Sequence, residues 1–136
     1  MNAVDTNILF YAHDPRDPLK RQVADRLIAS LSEGVLLWQV SCEFLYASRK
    51  LAVHGFDPSA AFRFIDALRR SWATSLPDWD TLQDVERLRT RYSIQFWDAL
   101  LLASCRAAGV NRLYSEDFGN PAPRVEDVEI VNPFTP

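Results

Sequence analysis

Four carboxylates, Asp5, Glu43, Asp98 and Asp117, stand where this sequence could do chemistry. Asp98 is the sharpest. It interrupts the apolar run Phe96-Trp97-Asp98-Ala99-Leu100-Leu101-Leu102-Ala103, and its helical neighbours three and four positions on are Leu101 and Leu102. Desolvating a carboxylate on such a face is costly unless a cation or hydrogen-bond donors meet it. An arginine such as Arg106 or Arg91, the exposed N-terminus of its own helix, or a divalent metal shared with other acids would each meet that need. Crowded carboxylates repel one another and raise some of their own pKa values, and a bound cation removes that penalty.

The elements that would bring these acids together follow from pattern and punctuation. Ala3-Val4 is a minimal strand after the polar Asn2, and Asp5 stands at its end, before the apolar run Ile8-Leu9-Phe10-Tyr11. Asp5 at that place serves equally well as a ligand at a strand's carboxyl end or as the cap of the next helix. Asp17-Pro18 starts a helix whose stripe is Leu19, Val23, Leu27, Ile28 and Leu31 and which stops near Gly34. Val35-Leu36-Leu37-Trp38 reads as a short buried strand, with Ser41 capping a helix from Cys42 to about Val53 that Gly55 closes. Glu43 then lies in that helix's first turn.

Asp57-Pro58 opens a further helix through Ala61, Phe62, Ile65 and Leu68 to Arg69-Arg70, followed by a strand from Trp72 to Leu76. Pro77-Asp78 caps a helix carrying Trp79, Leu82, Val85 and Leu88. The helix from Phe96 to Ala108 ends at Gly109, Arg112-Leu113-Tyr114 is a strand running into Ser115-Glu116-Asp117, and Val128 to Val131 is the last strand. This alternation predicts an α/β/α three-layer sandwich with a central parallel sheet, in one domain over residues 1–136. Ends of parallel strands and starts of the helices after them share one rim, so Asp5, Glu43 and Asp117 can share a pocket, provided Asp98's helix begins near that rim.

Composition agrees with this. At 136 residues and 48% hydrophobic content the chain can bury a core, and its longest nearly apolar run, Phe96 to Ala103, is far too short to cross a bilayer. A soluble, cytoplasmic protein without membrane partners is expected, with Cys42 and Cys105 as free buried thiols. The net charge of -3 argues against broad electrostatic binding of nucleic acid, although acids gathered around a metal are neutralised by the ion they hold.

Val4-Asp5-Thr6-Asn7-Ile8-Leu9, Ser41-Cys42-Glu43-Phe44-Leu45, the Asp98 run, Leu113-Tyr114-Ser115-Glu116-Asp117-Phe118 and the terminal Ile130-Val131-Asn132-Pro133-Phe134 together resemble the PIN-domain nucleases, and within them the VapC-like ribonuclease toxins. The resemblance runs over essentially the full chain. It implies a magnesium- or manganese-dependent endoribonuclease that leaves a 5′-phosphate and a 3′-hydroxyl, the toxin half of a type II toxin-antitoxin pair. By the same likeness, Asp5, Glu43, Asp98 and Asp117 are the metal-binding acids, Thr6, Asn7 and Ser115 give polar support, and Glu116 stands beside Asp117 as the alternative fourth ligand. A homodimer and a small antitoxin partner are likewise implied.

An RNA substrate also wants cations outside the acids. Arg49 and Lys50, which share a helix with Glu43, are the favoured pair among several that include Arg16, Lys20 and Arg21. His13 and His54 read as loop and helix-end residues, and Trp38, Trp72, Trp79 and Trp97 as fillers of the core or an interface. Two other readings fit parts of the pattern. A scaffold or binding protein would keep the fold without catalysis. A phosphatase or dehalogenase with Asp5 as nucleophile would want a second aspartate at position 7, which is Asn.

Overall fold

The computed structural model describes residues 1–116, 118 and 123–135. Its central layer is built from β1 (Asn2–Val4), β2 (Val35–Leu37), β3 (Ala73–Ser75), β4 (Arg112–Tyr114), β5 (Arg124–Val125) and β6 (Val128–Val131). One sheet runs in the order β1-β4-β6-β5, and β2 pairs with β3 beside it. A single parallel bridge between Asn2 and Gly34 joins the two, with Asn2 N donating to the Glu33 carbonyl at 2.9 Å. The layer is therefore a mixed, mostly parallel sheet.

The helices are α1 (Thr6–Tyr11), α2 (Pro18–Ser30), α3 (Trp38–Ala47), α4 (Pro58–Ser71), α5 (Trp79–Tyr92) and α6 (Phe96–Ala107), with a 3-10 segment Ser48–His54 after α3. Four of them begin where an aspartate accepts from a backbone N–H in the first turn: Asp5 from Thr6, Asp17 from Lys20, Asp57 from Ser59 and Asp78 from Thr81. Gly55, at φ 93°, ends the 3-10 segment in a left-handed conformation. Gly34 is needed for a different reason. A Cβ there would stand 2.4 Å from the Trp72 ring, so the approach of β2 to the end of α4 requires the missing side chain.

The core lies between sheet and helices. Val4, Ile8, Leu9, Leu37, Phe44, Leu88, Leu102 and Leu113 are essentially inaccessible. Each such aliphatic or aromatic side chain contributes about 1.5–3 kcal/mol through removal from water, as an upper estimate.

Several sequence expectations are corrected here. The central sheet is not wholly parallel, because β5 pairs antiparallel with β6 in a two-residue hairpin strand too short to leave a period in the sequence. Helix α3 starts at Trp38, directly after β2, so Trp38 belongs to no strand and Glu43 lies beyond the first turn. Ser41 is no cap; its hydroxyl donates back to the Leu37 carbonyl at 3.2 Å within the helix. The strand expected from Trp72 to Leu76 is only Ala73–Ser75. Trp38, Trp79 and Trp97 are 54%, 83% and 61% exposed and fill no core of this chain, while Trp72 is half-buried against it. Cys105 is buried, with its thiol pushed up by that burial, but Cys42 is exposed; both are free. Among the described residues no helix is long and apolar enough to cross a membrane.

Candidate functional site

A cleft of about 490 Å³ opens where α1, α3 and α6 meet beyond the end of β1, and Asp5, Glu43 and Asp98 line it together. Parallel pairing explains how Asp5 arrives. Val4 is in register with Tyr114, Asp5 N donates to the Tyr114 carbonyl at 2.8 Å, and Ser115 N donates to the Val131 carbonyl at 2.9 Å. The residues just past β1 and β4 are thereby side by side. The buried Ser115 hydroxyl donates to Asp5 Oδ2 at 2.7 Å, while Asp5 Oδ1 accepts from Thr6 N at 2.7 Å as the cap of α1. Strand-end placement and helix capping are thus both true of Asp5.

Burial pushes the Asp5 carboxyl above its ordinary range. The bonds from Ser115 and Thr6 oppose the rise, and the charges of Glu43 and Asp98 add to it. Glu43, exposed on α3, accepts from Thr6 Oγ1 at 3.2 Å and from Gln39 Nε2 at 2.7 Å. Gln39 Nε2 also reaches the Trp97 carbonyl at 3.3 Å, at the start of α6, one residue before Asp98. A single amide therefore ties the helix carrying Glu43 to the helix carrying Asp98. Sequence reasoning missed Gln39, since nothing local marks a partner 58 positions away. Asp98 itself is in the first turn of α6 and half-buried.

The remaining expected site residues divide. Asn7 lines the cleft, and its Oδ1 accepts from Glu116 N at 3.4 Å. Glu116 is engaged elsewhere. Its carboxylate accepts from Tyr11 Oη at 2.7 Å and from the Lys20 ammonium; burial pushes the carboxyl up, and these two partners together bring it below the usual carboxylate range. It is not among the residues lining the cleft, and its contacts join the end of β4 to α1 and α2. Asp117 lies outside the described residues. Lys50 lines the cleft, whereas Arg49 stacks on the Tyr46 ring at 4.9 Å. Arg106, considered as a partner for Asp98, pairs with Asp84, Glu126 and Asp127. His13 packs among Phe44, Phe56 and Phe64 with ring centroids 4.4–5.3 Å away.

Hard carboxylate oxygens lining one open cleft are of the donor type that magnesium or manganese takes, and such ions keep several waters rather than demanding a closed cage. Among the described residues no three His, Cys, Asp or Glu side chains stand close enough together to hold a metal ion, so the acids line the cleft without forming a preassembled site. The raised Asp5 carboxyl beside two further acids is the electrostatic condition that a divalent cation relieves.

Three solved structures share the fold. A toxin-antitoxin complex from Klebsiella pneumoniae superposes with a TM-score of 0.68 at 19% identity, covering 98% of each chain. VapC20 from Mycobacterium tuberculosis, described as a toxin cleaving the sarcin-ricin loop, gives 0.66 at 18% identity, covering 87% of this chain and 92% of its own. VapBC2 from Rickettsia felis, bound to a DNA fragment from its promoter, gives 0.66 at 15% identity, covering 96% and 97%. A comparison with curated protein sequences returned no match. The PIN domain family model matches residues 3–122. On that match, with the α/β architecture and acid-lined cleft just described, the chain belongs to the PIN domain family.

Proposed function

We propose that this chain is a magnesium- or manganese-dependent endoribonuclease. The observation that carries the reading is the meeting of Asp5, Glu43 and Asp98 in one cleft, with the Asp5 carboxyl pushed up by burial and by the other two charges. A divalent cation bound at such carboxylates supplies the positive charge that activates a water and stabilises the leaving oxygen in an in-line displacement at phosphorus. Asp117 belongs to the same proposed ligand set.

The chain's own part is orientation. Ser115 and the Thr6 amide aim the two oxygens of Asp5. Thr6 Oγ1 and Gln39 aim those of Glu43. Lys50 on the wall of the cleft offers charge to a neighbouring phosphate of the strand.

A toxin role, with a cognate antitoxin and a homodimer, is part of the proposal. The toxin-antitoxin complexes among the structural neighbours support it, as do two adjoining apolar grooves that share Trp38, one lined also by Phe62 and Leu76 and the other by Tyr46 and Trp97, all of them exposed. The test is incubation of the chain with total and synthetic RNA, with magnesium and with chelator, followed by analysis of the product ends. Magnesium-dependent products with 5′-phosphate ends are expected, and intact RNA under all conditions from a folded, metal-binding chain would refute the reading.

A further inference from the structure

The loop after α1 carries a device that the acids do not explain. Asp14 is 3% exposed, yet it is charged and lines the cleft. Its Oδ1 accepts from the Arg16 backbone N–H at 3.1 Å and from Arg16 Nε at 2.9 Å, and its Oδ2 accepts from Arg16 Nη2 at 2.9 Å. This is a two-pronged fork that holds the Asp14 carboxyl below the usual range. Asp14 N also donates to the Tyr11 carbonyl at 3.2 Å, which fixes the carboxylate to the end of α1.

The two partners differ in exposure. The Arg16 side chain is 54% exposed and that of Asp14 only 5%. The guanidinium thus has one edge locked on a buried carboxylate, and Arg16 lines the same cleft as Asp5, Glu43 and Asp98. Among the described residues Arg16 donates to Asp14 alone, so N–H groups beyond those in the fork remain for a ligand. A guanidinium fixed beforehand loses little freedom on binding an oxyanion, and its planar edge suits phosphate oxygens better than an ammonium does.

We infer that Arg16, aimed by the buried Asp14, holds a phosphate of the RNA strand next to the one that meets the acids. The inference rests on the ribonuclease reading for its ligand. It also assigns Asp14, though an acid of the cleft, to positioning the arginine rather than to metal.

The test compares the unsubstituted chain with Arg16→Gln, Arg16→Lys and the double variant Asp14→Asn/Arg16→Gln, in which no buried carboxylate is orphaned. The probe is a fluorescein-labelled single-stranded oligoribonucleotide of mixed sequence, titrated by anisotropy in calcium at several salt concentrations. Cleavage in magnesium and manganese affinity by calorimetry are measured alongside. The double variant is expected to bind the oligonucleotide about tenfold more weakly, with the salt slope reduced by about 0.7, the share of one single-strand phosphate. Its manganese affinity stays unchanged, and Arg16→Lys falls between because it keeps the charge without the fork.

Equal affinity and equal slope in the double variant overturn the inference. If magnesium-dependent cleavage persists in that case, the ribonuclease reading stands without it. Arg16-dependent binding by a chain that cuts nothing has the opposite meaning, and failure of the unsubstituted chain to bind the oligonucleotide overturns both.

Discussion

Ser115 holds Asp5 through a 2.7 Å hydrogen bond across 110 positions of sequence, and the parallel register of β1 on β4 is what makes the contact. The hydroxyl stabilises a carboxylate whose burial favours the protonated form. Asp5 therefore sits at a balance that a cation would shift.

That balance predicts a pH effect on stability. The folded-state pKa of Asp5 lies above the ordinary 3.8, so between those values the folded chain binds a proton that the unfolded chain has released. Metal-free stability from this group falls as pH rises through the window. Asp5→Asn, which still caps α1 and still pairs with Ser115, is expected to melt higher than the unsubstituted chain at pH 7 in chelator, with the gap closing below about pH 4. Magnesium should raise the melting temperature of the unsubstituted chain and leave the variant unmoved. Thermal melts across pH, with and without metal, check both.

Gln39 makes a second prediction. Its amide orients Glu43 and fastens α3 to the start of α6, so Gln39→Leu should lower manganese affinity or RNA cleavage by about 10- to 100-fold, the usual cost of losing a group that orients a metal ligand. Gln39→Glu should cost more, because it adds a like charge to the three acids. The melting temperature of Gln39→Leu should change little, since about 1 kcal/mol is typical for one such bond. A large loss of stability with unaltered metal affinity would make Gln39 a structural residue only.

A third prediction concerns the hairpin of β5 and β6, whose residues do not line the cleft. Glu126 stands at φ 53°, its carboxylate meets Arg87, Arg106 and Tyr92, and its carboxyl is pulled to about 2, chiefly by the Arg87 hydrogen bonds. A lowered carboxyl contributes stability above its ordinary 4.5 and loses it as pH falls toward about 2. Glu126→Gln should therefore melt lower than the unsubstituted chain at pH 7, and the two melts should converge toward pH 2.

Much of this was legible in the sequence where a local signal exists. Asp17-Pro18, Asp57-Pro58 and Asp78 announced three helices because an N-cap side chain acts on residues two or three positions away. The start of α3 was illegible for the converse reason. Leu37 precedes it with no side-chain cap, so only the tertiary setting of β2 decides that the chain turns at Trp38. Of the two places open to the tryptophans, core or interface, exposure removes the core for Trp38, Trp79 and Trp97, a choice their sequence neighbours do not make because apolar residues inside is a one-way rule. As for the cleft, Asp5, Glu43 and Asp98 could be placed on one rim from element order, whereas the Gln39 bridge, the Lys20 hold on Glu116 and the Asp14-Arg16 fork needed coordinates, since only the fork is local and its burial is not written in its neighbours.

The account turns most directly on the rate of RNA hydrolysis by the unsubstituted chain, Asp5→Asn and Asp98→Asn as magnesium is titrated from chelator to saturation. Hydrolysis that appears only with the metal and falls by more than about a hundredfold in both variants is the expected result, because each removes a charge from the set that would bind the ion. Hydrolysis that persists in chelator, or that survives both substitutions at full metal, would contradict the claim that these carboxylates form a metal-dependent nuclease centre.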